Sequence, residues 1–490
     1  MRSKLLFSII LLSLKLWSQN PGELDTSFDG DGRVFTTFVS TSYINWSRAV
    51  AVDASRIYLA GSASDGSGNL NKLSCIAYNL NGTPDNSFAT NGKFQFSWPV
   101  TAIATDIKLQ PDGKILILGN DYTHLLTIRL NHDGSIDNTW AQNGVAEFDA
   151  SATNDESCRL ALQHDGKVII SGSTNAVNPE IFVARLTKDG IIDPSFGISG
   201  KYGFTMPNHT GHLRNLVLQP DDKIIISFDE GIVMNNLSYL MRLTIDGILD
   251  TGFNTTGYII NTGFSGYRAM AVTDNGAIYA AASQNGTVVR RFGIYGQHDN
   301  SFNAAAGYSF AAKDLFIKDG KIILLGYTGV RPFTSIQTED YAAIVFNIDG
   351  SVDNNFGTNG IAWVDMGSEY DTAQQGAIQP DGKLLITGNG LFKFTACRLN
   401  APANLSATAF GKPMAGLSPN PSHDGKFNIR LSQKFGHIKV AIANTLGQQI
   451  KAAYFYDSDN IEMKIEESGI FFATITADSE NPITLKLLRQ

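Results

Sequence analysis

Seven aspartates recur along this chain in the same local surroundings: Asp25, Asp85, Asp137, Asp193, Asp250, Asp299 and Asp353. An aromatic residue follows each by three positions, from Phe28 to Phe356 with Trp140 as the single indole, and a glycine comes four or five residues later. A carboxylate repeated this often could hold cations. A calcium loop, however, needs about six or more oxygens, drawn from acidic or amide side chains at alternating positions. Only Asp29-Gly30-Asp31-Gly32 approaches that pattern; the matching stretches elsewhere read Ala89-Thr90-Asn91, Gly197-Ile198-Ser199 and Asn254-Thr255-Thr256. The aspartates are therefore expected to be structural, accepting backbone N–H groups in a turn. They are also expected to pair with an arginine that recurs in the preceding strand, as Arg129, Arg185, Arg242 and Arg291. No metal and no cofactor is expected.

Other chemistry is sparse. The sequence holds no Gly-x-Ser-x-Gly elbow, phosphate-binding loop, dinucleotide fingerprint or His-Glu-x-x-His. His209 and His212 form the only close histidine pair, without a nearby acid or cysteine to complete a metal site. Cys75, Cys158 and Cys397 lie far apart in apolar stretches and are expected to be small buried hydrophobes, not a disulfide framework. A non-enzymatic role is expected. The alternative is a secreted glycan-active enzyme, which needs two carboxyls brought to catalytic distance in a folded channel.

The repeat itself sets the architecture. Successive aspartates are 60, 52, 56, 57, 49 and 54 residues apart. Between them runs a second element, clearest at Ile107–Gly119, where an alternating stretch, an Asp-Gly turn and an apolar stretch read as a β-hairpin. Its counterparts begin at Ala49, Leu160, Leu216, Met270, Leu315 and Ala377; the turns of the first and fifth, Asp53-Ala-Ser-Arg56 and Asp274-Asn-Gly-Ala277, depart most. A third strand follows (Leu125–Leu130, Ile181–Leu186, Tyr239–Leu243, Val288–Phe292, Ala342–Phe346), and a fourth comes after the glycine (Gly92–Ser97, Gly144–Phe148). Four short strands in each unit of about 50 residues predict a β-propeller blade. An open solenoid would require polar capping repeats, whereas the first and last units look like the middle ones. The expected fold is all-β: a seven-bladed propeller over 19–402.

Composition agrees with export. With 38 Lys+Arg against 46 Asp+Glu the chain carries −8, and no basic stretch offsets this, which argues against a nucleic-acid partner. Residues 1–18, basic and then apolar up to Ser18, read as a signal peptide; the ten-residue apolar run is too short to span a membrane. No transmembrane span is expected elsewhere. After Asn400 the pattern breaks. Residues 403–416 read as a linker, and 417–490, with short strands about every ten residues, as a small Ig-like β-sandwich.

Two resemblances follow. The Leu-Asp-x-Ser-Phe element with Gln110–Lys114, Gln379–Lys383, Arg185–Gly190 and Arg242–Gly247 resembles the delta-60 repeat family of exported bacterial proteins, which implies a propeller and no common activity. The tail resembles the type A C-terminal sorting domain of the Bacteroidetes type IX secretion system. The residues that carry this are Pro419-Asn420-Pro421 with Gly425, the turn ending at Gly447, the strand start at Gly469 and the basic-apolar finish from Lys486. The resemblance implies Sec export, outer-membrane passage through the type IX machinery, and a secreted or surface-attached propeller. The expected partners are that machinery, through the tail, and an unidentified surface protein or glycan.

Overall fold

The computed structural model describes residues 20–489, apart from 39–44, 65–70, 150–157, 175–178, 207–209, 233–234, 263–264, 284–285, 335–336, 403–414, 419–421, 445–448 and 478–482. The signal segment, most of the linker, His209, Pro419, Asn420, Pro421 and Gly447 fall outside the described residues. Two units divide at Ser406. Among the described residues no helix is long and apolar enough to cross a membrane.

The first unit holds seven four-stranded antiparallel sheets. In the second blade the strands are Ile103–Leu109, Ile115–Asn120, His124–Leu130 and Val145–Asp149, paired in chain order. The Ile115–Asn120 strand is buried throughout, because both of its faces press on other sheets. Each apolar core joins two adjacent blades. One unites Ala49, Tyr58 and Leu73 of the first blade with Ile107, Ile115 and Ile128 of the second. The series continues blade to blade until Leu385, Phe394 and Ala396 of the seventh blade meet Val50, Ile57 and Leu59 of the first. The ring is closed, and its stability comes from apolar surface removed from water between blades.

The closure differs from a linear count of repeats. The first fourth strand, Arg33–Thr36, belongs to the last blade, where it pairs with Lys393–Leu399, Arg33 opposite Cys397. The seventh blade thus takes strands from both ends of the propeller segment, and their backbone pairing locks the ring. The hairpins with irregular turns also form: Asn45–Val52 pairs with Arg56–Ser64, and Ser265–Val272 with Ile278–Ser283. All three cysteines are free and buried.

The second unit has five strands: Ala415–Ser418, Lys426–Asn444, Gln449–Lys464, Gly469–Ala477 and Ile483–Arg489. The 19-residue strand Lys426–Asn444 loses register between Arg430 and Phe435. Its first part pairs with Ala415–Ser418 and its second with Gly469–Ala477. Phe427 and Ile429 from the first part share one core with Val440 and Ile442 from the second.

Candidate functional site: a cation-lined axis and an aromatic mouth

The repeated aspartates lie at the end of each blade where the first-to-second and third-to-fourth strand turns are found. The copy at Asp193 shows what they do. Its Oδ1 accepts the Ser195 amide at 3.1 Å and hydroxyl at 2.6 Å. Its Oδ2 meets Arg185 Nε at 2.9 Å and Lys167 Nζ at 3.3 Å. Burial alone would raise this carboxyl; the Ser195 donors, Lys167 and Arg185 hold it at about 2. Arg185 then donates to Ile245 O in the next blade at 2.7 Å. Its guanidinium lies 4.8 Å from the Phe196 ring centre, and Phe196 packs against Gly247 of that next blade. Each motif is thus a staple between neighbouring blades.

The other copies vary the cation. Asp137 meets Lys114 and Arg129 at 2.9 and 2.7 Å, and Asp250 meets Lys223 and Arg242 at 3.3 and 2.9 Å. Asp299 pairs with Arg291. Asp85 and Asp353 use the hairpin residues Arg56 and Lys321, at 2.5 and 2.7 Å. Asp25 takes Lys383 and Arg398, each at 2.7 Å, from the far end of the propeller. Circular closure supplies the partner that a linear reading leaves out.

In the tail, Gly425 and Gly469 both have positive φ (+76° and +141°), and a Cβ at Gly425 would stand 2.1 Å from Ile465 O. Lys486 lies opposite Phe472 in the strand register.

A second set of charged residues, with no motif to announce it, surrounds the propeller axis. The first strand of every blade lies innermost, since these strands pack on one another around the ring. Most of them carry a β-bulge: the register skips Arg48 in the first blade, Thr105 in the second, Arg214 in the fourth, Lys313 in the sixth and Gln374 in the seventh. In the fifth blade the skipped stretch between Ser265 and Ala269 contains Arg268. A bulge turns one extra side chain out of the ladder. Burial lowers the Lys313 ammonium to about 8, and Arg159, Arg268, Arg48 and Arg214 add to this by repulsion. Cations from four other blades can act on one lysine only if all converge on the axis. Arg214 is paired with Asp229 at 2.6 Å, and Lys313 Nζ donates to Gln374 Oε1 at 3.2 Å.

One position further along the strands the axis holds carboxylates. Asp106 accepts Lys108 Nζ at 2.7 Å, the Leu160 amide of the third blade at 2.9 Å and Gln375 Nε2 of the seventh at 3.2 Å. Asp314 accepts the Gly376 amide at 2.7 Å. Burial pushes the Asp314 carboxyl up to about 6, against the Gly376 amide, Lys108 and Arg159, with Asp106 adding to the rise. A cavity of about 310 Å³ lined by Lys108, Asp314 and Gln375 opens here.

At the opposite end, where second-to-third strand turns and blade-to-blade connections emerge, Trp46, Tyr370, Leu391 and Phe392 line a pocket of about 580 Å³. Tyr370 is 72% exposed and Phe392 63%. Leu391 and Phe392 form a turn with both φ values positive, +53° and +56°, a conformation that bulky side chains adopt only under strain. The Arg48 guanidinium lies 5.7 Å from the Trp46 ring centre, so the pocket adjoins the cationic axis.

Among the described residues, Asp340, Asp365 and Asp371 are close enough together to consider a cation. Arg331 already bridges Asp340 and Asp365, at 2.9 and 3.0 Å. Asp371 accepts the Met366 amide at 2.7 Å and the Ser368 amide at 3.3 Å. These carboxylates fasten the connection that carries Tyr370.

Solved structures similar to the chain include the extracellular domain of the putative one component system BT4673 from B. thetaiotaomicron, at 10% identity and TM-score 0.37, covering 93% of this chain and 59% of that one. The polysaccharide lyase Uly1 is similar at 13% identity and TM-score 0.41, covering 73% and 90%. A protein of unknown function from Bacteroides caccae is similar at 11% identity and TM-score 0.34, covering 64% and 99%. The chain spans about three-fifths of the first of these, and with TM-scores under 0.5 none of them lends it an activity. Comparison with curated proteins finds no match. Residues 110–139 and 163–196 match the β-propeller domain of unknown function DUF5122, and 417–489 match the secretion system C-terminal sorting domain. The sorting domain marks the chain for type IX secretion and the outer cell surface. The chain therefore joins an all-β propeller with DUF5122-type repeats to a C-terminal sorting domain.

Proposed function

We propose that the mature propeller is a non-catalytic scaffold, displayed at or released from the cell surface, that binds a glycan or surface protein at its aromatic mouth. The observation that carries this reading is the strained turn Leu391–Phe392, which holds apolar side chains toward solvent beside Trp46 and Tyr370. Exposed apolar surface of this kind is uncommon on soluble proteins without a partner. A screen of the mature chain against glycans and surface proteins should give binding that weakens at least tenfold in Trp46→Ala or Phe392→Ser. A ligand whose affinity ignores both substitutions contradicts the assignment of the mouth.

The enzyme reading rests on one observation, the Asp314 carboxyl raised to about 6 beside Asp106 and Lys108, a value suited to a general acid. Incubation with neutral and acidic polysaccharides should release no products. Turnover lost in Asp314→Asn would replace the scaffold with an enzyme.

A further inference from the structure

Five cations from five blades converge on the axis of a protein whose overall charge is −8. Arg48, Arg214, Arg268 and Lys313 occupy strand bulges, and Arg159 opens the short inner strand Arg159–Leu162. The second and seventh blades place the neutral Thr105 and Gln374 in the equivalent bulges, so the bulge alone does not dictate charge. Of the acidic groups nearby, Asp229 answers Arg214 and also acts on Arg268, Asp106 answers Lys108 and with Asp314 also acts on Arg159, and Glu339 acts on Lys313. These four carboxylates face six cations, the five above and Lys108, which leaves an excess of positive charge. Like charges gathered in a partly desolvated space repel one another, a cost that an anionic ligand relieves.

The aromatic pocket adjoins this positive axis through one residue pair, Trp46 and Arg48. We propose that the channel mouth binds the carboxylate or sulfate groups of an acidic glycan at Arg48, Arg214, Arg268 and Lys313, while a sugar ring packs on Trp46 and Phe392. A small inorganic anion would have no use for the apolar pocket. A nucleic acid would require cations spread along an outer groove, whereas here they face inward. The inference rests on the scaffold reading and adds the charge of the ligand to it.

The test measures binding of the mature full-length chain to three hexasaccharides by calorimetry: galacturonate (carboxylate only), carrageenan (sulfate only) and neutral cellohexaose, with a single-stranded DNA decamer as a fourth probe. At least one acidic hexamer should bind tenfold or more tightly than cellohexaose, and its affinity should fall as salt rises. Which acidic hexamer binds distinguishes carboxylate from sulfate recognition. Lys313→Met and Arg268→Met should each weaken that binding tenfold while leaving the melting temperature unchanged or higher, and Lys313→Arg should retain it. The proposal is overturned by equal affinity for neutral and acidic hexamers, by tighter binding of the DNA, by an affinity that Lys313→Met leaves within twofold, or by no binding of either acidic hexamer. Cellohexaose binding that needs Trp46 but not Lys313 overturns the charge assignment alone and leaves the scaffold reading standing.

Discussion

The Ser47 hydroxyl on the first blade donates to the carbonyl of Gly388 on the seventh at 2.7 Å and accepts from Thr387 Oγ1 at 2.9 Å. Residues 340 positions apart in the chain thus share a buried hydrogen-bond network at the seam of the ring. Ser47→Ala leaves the Gly388 carbonyl with only the Thr395 hydroxyl at 2.7 Å and takes the acceptor from the Thr395 amide. It should cost on the order of 1 kcal/mol, read as a lower urea midpoint with an unchanged slope.

The staples differ in worth. Asp193→Asn leaves Arg185, 2% exposed, with only the exposed Asp246 carboxylate at 3.8 Å, and removing one member of a buried pair costs about 3 kcal/mol. Asp299→Asn should lower stability far less, because its partner Arg291 is 32% exposed and better solvated. Denaturant titration of the two variants side by side checks the order; equal losses would contradict it.

Gly190 turns with φ +82°, and an added Cβ would stand 2.5 Å from the Trp140 ring. Gly190→Ala combines a left-handed backbone with overpacking of the second blade's staple. The expected loss is about 2 kcal/mol, visible as a lowered melting temperature.

Stability should depend on pH in two windows. Lys313 is charged in both folded and unfolded chains below about pH 8, where its repulsion by the axial arginines is fully felt. Between about 8 and its ordinary value of 10.5 the folded chain has lost a proton that the unfolded chain keeps, so stability contributed by this group rises with pH. Asp314 acts in the opposite direction. From 3.8 to about 6 the folded chain holds a proton that the unfolded chain has released, so stability falls as pH rises through that window. Unfolding free energies at pH 4, 6, 8 and 10 for the natural chain, Lys313→Met and Asp314→Asn separate the two groups: each substitution should flatten its own window and leave the other.

The sequence made the staples legible and the axis almost invisible, for a physical reason. Asp193, Ser195, Phe196 and Arg185 lie within a dozen residues, so their interaction repeats as a spacing. Arg48, Arg159, Arg214, Arg268 and Lys313 meet only when the ring closes. Their one shared signal is a basic residue just ahead of the apolar start of the hairpin, and the bulges that aim them leave no composition of their own. The pairing of Arg33–Thr36 with the last blade was also within reach, since the repeats begin with a staple and a fourth strand and end on a third strand at Leu399. A linear numbering of repeats hides it.

The closed ring is tested most directly where the two ends of the propeller meet. Arg33 lies opposite Cys397, and because the Arg398 amide donates to Gly32 O, the Arg33–Cys397 pair is a non-hydrogen-bonded one, the closer kind. In Arg33→Cys, oxidised and then denatured, two of the four thiols should titrate, with peptide mapping joining the introduced thiol to Cys397. Four free thiols, or a bond to Cys75 or Cys158 instead, would show that the first strand does not close the last blade.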